Sequence, residues 1–259
     1  MTEQITEPGT EPTCASPRWT WRLPWQLAAD ALLPRLCALC GMRSQGVLCQ
    51  PCCGQFLADQ RPRCRSCANP ICAADQAWPC GACQAHRPPF DATVAAVDYA
   101  SPLDQLVLQL KFGGVLALAP CFGAMLKQAV VADARATLPD LLCPVPLGRA
   151  RLVERGFNQA LEIARPLGRG LGIPVHPALA LRVVETSAQS SVAPAQRQRN
   201  IRKAFTIAPA ALALVQGRHI GVVDDVMTSG ATLAELAATL KRFGAARVTN
   251  LVFARTPPH

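Results

Sequence analysis

The sequence predicts an α/β domain built on a parallel sheet, preceded by a small cysteine-rich domain that folds around metal. Three observations predict this. Ten of the 13 cysteines fall between Cys37 and Cys83. The texture then changes at Phe90, from Cys, Gly, Pro and Arg to an apolar strand-like run. Near the end of the chain an apolar run, an amphipathic helix and a second apolar run follow in β-α-β order, which points to a parallel sheet. A chain of 259 residues suits one large domain and one smaller unit.

Composition narrows the class. Half of the residues are hydrophobic and 17% are charged, so a packed core is available and wholesale disorder is excluded. The longest uncharged stretch of the apolar middle, Phe112 to Leu126, falls short of the ~20 residues of a spanning helix, so no membrane insertion is expected. The start, Met1-Thr2-Glu3 with Glu7 and Glu11, has no apolar stretch of a secretory signal, and a cytoplasmic location is expected. In a reducing compartment such dense cysteine implies metal rather than disulfides. The net charge of +9 is concentrated between Leu147 and Lys203. That excess suits phosphate-rich ligands and equally suits solvated helix faces.

Residues 1–32 read as a loose arm, with Pro8, Pro12, Pro17 and Pro24 and few aliphatics. Trp19, Trp21 and Trp25 beside Arg18 and Arg22 fit either a docking patch or stacking on bases. Residues 33–89 hold four Cys-x-x-Cys pairs, Cys37/Cys40, Cys49/Cys52, Cys64/Cys67 and Cys80/Cys83. Two such turns supply the tetrahedral sulfur set that Zn2+ prefers, so the eight thiols imply about two structural zinc ions, with iron–sulfur as the minor alternative. Neighbouring pairs sharing an ion is the favoured arrangement, and a cross-braced one is the other. Cys53 and Cys72 are spare thiols able to replace a ligand, His86 reads as a surface residue, and Cys14, Cys121 and Cys143 as ordinary thiols.

Residues 90–259 form the larger domain. Phe90 to Tyr99 is a strand, and helices follow over Leu103 to Leu110 and Leu116 to Val131. Leu141 to Pro144 reads as a short buried strand, and Asn158 to Leu167 as a helix that Pro166 should kink. Thr186 to Gln198 has no period and reads as a long loop, of the kind that is usually functional. His219 to Asp224, the helix Ala231 to Phe243 closing at Gly244, and Val248 to Phe253 complete the β-α-β unit.

The sharpest motif runs from Ile220 to Thr232. Asp224 and Asp225 end a buried strand, Thr228, Ser229 and Gly230 form a turn, and a helix opens at Ala231 with Thr232 in its first turn. Amides at a helix N-terminus and nearby hydroxyls make a phosphate socket, which glycine lets the ligand approach. The acids stand where a sugar diol would lie, at the carboxyl end of a strand, where open α/β sheets bind ligands.

This segment resembles the 5-phosphoribosyl-1-pyrophosphate (PRPP) signature of type I phosphoribosyltransferases. Together with Pro144-Val145-Pro146-Leu147, Arg155-Gly156-Phe157-Asn158-Gln159-Ala160, Thr186-Ser187-Ala188-Gln189, Arg199-Asn200-Ile201, Lys111-Phe112 and the paired ribbons, the chain resembles the competence protein F (ComF/GntX) family. The resemblance runs from about Leu33 to Thr256. It implies a type I phosphoribosyltransferase fold behind a double zinc ribbon. It makes Asp224 and Asp225 the ribose-diol ligands, and Thr228, Ser229, Gly230, Ala231 and Thr232 the 5-phosphate cradle. Pro146 and Arg149 would face pyrophosphate with Arg155 nearby, and Gln189, Arg197 and Arg199 would belong to a lid. Lys111, on or just after a helix, fits a solvated position as well. Mg2+ would accompany PRPP, and positive charge near the leaving group would assist an oxocarbenium-like transition state. Implied partners are PRPP, single-stranded DNA and the DNA-uptake machinery. Nothing in the residues names an acceptor, so a DNA-handling protein with a PRPP site and a PRPP-dependent transferase of base salvage both stand.

Overall fold

The computed structural model describes residues 36–57, 61–72, 78–133, 135–183 and 204–257. Two compact units divide between Gln60 and Arg61. In the first, a bridge between Leu36 and Arg43 closes the turn of Cys37 and Cys40, and helix α1 (Gln50–Phe56) starts directly after Cys49. Pro51 lies in its first turn, where a missing N–H costs nothing.

The second unit carries helix α2 (Gly81–Ala85) and then β1 (Ala92–Asp98), α3 (Leu103–Phe112), α4 (Leu118–Ala132), β2 (Leu141–Pro144), α5 (Arg149–Arg155), α6 (Gln159–Leu171), β3 (Ala180–Arg182), β4 (Phe205–Ile207), β5 (His219–Met227), α7 (Ala231–Arg242) and β6 (Arg247–Arg255). Four strands form a sheet in the order β1-β6-β5-β2, every pair parallel. β3 and β4 form a separate antiparallel pair. Helices cover both faces of β6, and every residue from Val248 to Arg255 is buried, the polar Thr249 and Asn250 included.

Side chains alternate between the faces of a strand, and this sorts the acids. Ile220 and Val222 of β5 share a core with Leu233, Leu236 and Leu240 of α7 and with Val248 and Val252 of β6. On the other face Phe253 stacks on Phe122 of α4, ring centroids 3.6 Å apart. Asp224 continues the row on the α7 side, and Asp225 the opposite row.

The second cysteine segment belongs to this unit. Thr93 of β1 donates its amide to the Arg65 carbonyl at 2.9 Å and its hydroxyl to the Ser66 carbonyl at 2.6 Å. A sheet edge left open invites foreign strands, and this one is capped by the chain's own turn. Asp98 holds Arg61 at 2.8 Å and Arg63 at 2.7 Å, and Cys64, Cys67 and Ala68 share the core of Phe90 and Ala95.

The helices expected from periodicity are present, with differences that have physical reasons. α6 runs through Pro166 to Leu171 and ends at Gly172 in the left-handed region, φ +72°. Gly123 of α4 makes room for it, since a Cβ there would lie 2.9 Å from the Pro166 ring. Helices α1, α2 and α5 and the β3–β4 pair were not legible, because five- or seven-residue helices and three-residue strands are too short to show a period. No helix among the described residues is long and apolar enough to cross a membrane.

Candidate functional site

The acid pair lies near the carboxyl end of β5, just past Val223, the last residue paired with β2, and β5 runs on to Met227 beside β6 rather than ending at the acids as its sequence suggests. Asp225 is 2% exposed, and two distant strings of the sequence converge on it. The Lys111 ammonium of α3 sits against its Oδ2. Gln159 of α6 donates to its Oδ1 at 3.3 Å, and Arg155 donates to the Gln159 side-chain oxygen at 2.6 Å. The Arg155 guanidinium lies over the Phe112 ring, 5.4 Å from its centroid. Lys111, for which a solvated position fitted equally well, is thus enlisted by the acid. A carboxylate taken out of water needs such a partner, or it would give up its charge.

Asp224 keeps part of its surface exposed and accepts the Asp225 amide at 2.9 Å. Burial pushes its carboxyl well above the ordinary range, and the neighbouring Asp225 carboxylate pushes it further, against the pull of Lys111. Two acids of unequal exposure, one neutralised from behind and one facing out, form a site that favours a cationic or hydroxyl-bearing ligand.

The turn after β5 is tight. Gly230 has φ +78°, and a Cβ on it would meet Met227 Cε at 2.6 Å. Thr228 and Ser229 are exposed. The Ser229 hydroxyl accepts the Ala231 amide at 3.4 Å, and the amides of Thr228, Ser229 and Gly230 have no acceptor among the described residues. α7 opens at Ala231, so free donors and a helix N-terminus coincide.

Parallel register places the turn after β2 beside the acids, because Val145 donates to the Val223 carbonyl at 2.9 Å. Asn158 fastens that turn. Its oxygen caps α6 by accepting the Ala160 amide at 3.0 Å, and its nitrogen donates to the Val145 carbonyl at 3.0 Å. Pro146 lies in this turn and the exposed Arg149 opens α5, at the same edge of the sheet as the acids. Gln189, Arg197 and Arg199, like Trp19, Trp21, Trp25 and Cys14, lie outside the described residues.

The thiols form two groups, Cys37/Cys40/Cys49/Cys52 and Cys64/Cys67/Cys80/Cys83, within each of which all sulfurs lie inside 4.8 Å of one another. Neighbouring pairs therefore share a group, and Cys53, Cys72 and His86 belong to neither. The two groups repeat one design. The third cysteine donates its amide to the first sulfur at 3.3 Å in each, and a left-handed residue follows the second cysteine, Gly41 at φ +72° and Ala68 at φ +56°. The donor set fits a divalent ion on its charge behaviour. The Cys67 thiol, with backbone amides and against burial, draws Cys64 down to about 4, whereas burial and the other thiolates push Cys83 up to about 12. Four such sulfurs shed their protons together only around a cation.

One residue went unread in the sequence. Arg255, the buried last residue of β6, donates Nε to the Cys67 carbonyl at 2.8 Å and Nη1 to the carbonyls of Met227 at 3.0 Å, Thr228 at 2.6 Å, and Thr256. The available signal was an arginine closing the apolar run Leu251 to Ala254.

A parallel sheet with helices on both faces, an acid pair near the carboxyl end of a buried strand and a glycine turn opening a helix make up a type I phosphoribosyltransferase fold, here with two four-cysteine groups ahead of the sheet in sequence. No family model matches the sequence. The chain is 36% identical to "DNA utilization protein YhgH" of Salmonella typhimurium over 230 residues, 86% of this chain and 98% of that protein. It is 33% identical to "Competence protein F" of Haemophilus influenzae over 169 residues, 64% of this chain and 73% of that one. The chain belongs to the family of these proteins. Among solved structures, the glutamine PRPP amidotransferase of B. subtilis aligns at 20% identity and a TM-score of 0.33 over 52% of this chain, which spans only 26% of that enzyme. So low a score adds nothing to the strand order and site geometry.

Proposed function

We propose that this protein binds PRPP, with Mg2+, at the carboxyl end of β5, and that it works in the use of incoming single-stranded DNA in the cytoplasm, alongside the DNA-uptake machinery. The observation that carries the PRPP reading is the convergence on Asp225. Lys111-Phe112, Arg155 to Gln159 and the acid pair, the strings on which the family resemblance rests, meet in one network. Lys111 and Gln159 hold the Asp225 carboxylate in place, and Asp224 and Asp225 supply acceptors for a ribose diol and negative charge beside an oxocarbenium-like carbon. Over Thr228 to Thr232, the amides of Thr228, Ser229 and Gly230 and the hydroxyls of Thr228, Ser229 and Thr232 are offered to a 5-phosphate. Pro146, Arg149 and Arg155 stand on the side assigned to pyrophosphate. Bound Mg2+ would offset the charge of the pyrophosphate.

The DNA reading is supported by the names of the relatives, a DNA utilization protein and a competence protein, and by a cleft of about 580 Å³ at the amino end of β1 and β6, lined by Arg65, Arg87, Arg247 and Phe90. Asp91, in its wall, is already engaged by Lys241 and the Val248 amide, each at 2.8 Å, so the cleft stays cationic. Exposed Trp78 precedes Pro79 of the same wall. A cationic cleft with an exposed aromatic next in the chain to its wall suits a phosphodiester chain with unstacked bases.

Fluorescence anisotropy of a labelled oligonucleotide across a salt series tests this. Wild-type affinity is expected to fall with salt by roughly 0.7 log units per phosphate contact for each tenfold rise, and Arg65→Glu with Arg87→Glu to flatten that slope. An unchanged slope would remove the cleft from DNA binding. Release of pyrophosphate from PRPP with candidate bases distinguishes a working transferase from a ligand-binding protein.

A further inference from the structure

We infer that Arg255 is the positioning residue of the phosphate turn, and that the second four-cysteine group, through the Cys67 carbonyl, is the anchor that holds it. The side chain is a buried cation that donates to four carbonyl oxygens, one on the cysteine turn and three on the strand ends around the site. A guanidinium presents its donors in a fixed planar fork, so with Nε held by Cys67 the direction of Nη1 is set as well. Nη1 in turn holds the carbonyls of Met227 and Thr228. Across a trans peptide the N–H points opposite to the carbonyl, so fixing these two oxygens turns the Thr228 and Ser229 amides away from Arg255. Those amides, with that of Gly230, are the ones without an acceptor among the described residues.

The anchor is itself rigid. Its turn is pinned to β1 through Thr93, and Arg63 ties the Ala68 carbonyl at 3.2 Å to Asp98 at 2.7 Å. Cys67 is one of four sulfurs within 4.8 Å of one another, a set suited to zinc. Loss of the ion would free the Cys67 peptide, and with it the fork that orients the turn. The metal group is then part of ligand recognition as well as of folding. The affinity consequence rests on the proposed PRPP reading, whereas the orientation of the turn does not.

The test uses the full chain and two readouts. Arg255→Lys keeps the charge but has no fork to span Cys67 and Thr228. It is expected to retain the wild-type zinc content, to speed hydrogen exchange at residues 228–230, and to weaken Mg2+–PRPP binding by about tenfold. Chelation of wild-type protein supplies the second arm. Exchange is expected to rise at residues 61–83 and 228–230 together, and chelation of the Arg255→Lys protein to add little at 228–230. Wild-type exchange at 228–230 in Arg255→Lys, or a chelation effect spread evenly along β5 and β6, would overturn the inference. Absence of PRPP binding by the wild type would count against the proposed function alone, since the exchange readout still decides.

Discussion

Asp224 costs the folded state stability. Its carboxyl, raised by burial and by Asp225, holds a proton in the native chain at pH values where the unfolded chain has released it. Stability therefore falls as pH rises from the ordinary carboxylate value through the raised one. Asp224→Asn is expected to remove that slope and to be more stable than wild type at neutral pH, while losing ligand affinity, as is common at binding sites. Urea denaturation between pH 4 and pH 8 measures this, and parallel curves for the two proteins would contradict it. Lys111 has the opposite balance. Lys111→Met leaves the buried Asp225 carboxylate without its ammonium and is expected to cost about 3 kcal/mol, much of it recovered in Lys111→Met/Asp225→Asn. The acid pair was legible because its turn and helix are contiguous in sequence. The partners of Asp225 were not, because Gln159 lies 66 positions away and the tie between Arg255 and Cys67 spans 188. No local pattern encodes contacts at such range.

At the scale of elements, the turn joining β5 to α7 is the most constrained. Gly230→Ala would require a left-handed alanine and push its Cβ into Met227. The expected cost is about 1–2 kcal/mol, with weaker PRPP binding, and thermal melting with calorimetry reads both. Ala68 occupies the equivalent left-handed position of the second cysteine turn, so that turn carries strain which Gly41 relieves in the first. The long helices and the strands of the parallel sheet were legible because each buries a face or a whole run, which imposes a period or an apolar stretch. α5 escaped notice because none of its residues is buried, and burial is what imposes such a pattern. α6 continues past Pro166 to Leu171, beyond the stretch whose spacing reads as helical, and packs on α4 around Gly123.

For the whole molecule, composition changes at Phe90, while the compact unit containing the sheet begins at Arg61. Texture follows the cysteine turns, whereas packing follows the core, and Cys64, Cys67 and Ala68 lie in the sheet's core. Cys37→Ser/Cys40→Ser is accordingly expected to leave the melting of the sheet unit unchanged, whereas Cys64→Ser/Cys67→Ser should lower it and weaken the phosphate turn. Differential scanning calorimetry with metal analysis, about two zinc ions in the wild type, distinguishes them. A turn with open amides at a helix start, an acid pair and a buried network meeting at one edge of the sheet support the proposed binding of PRPP. It is tested most directly by calorimetric titration of the zinc-loaded full chain with PRPP and Mg2+. Saturable heat at one ligand per chain is expected, with affinity lower by on the order of tenfold or more in Asp224→Asn/Asp225→Asn. No heat and no thermal shift in the wild type would contradict it.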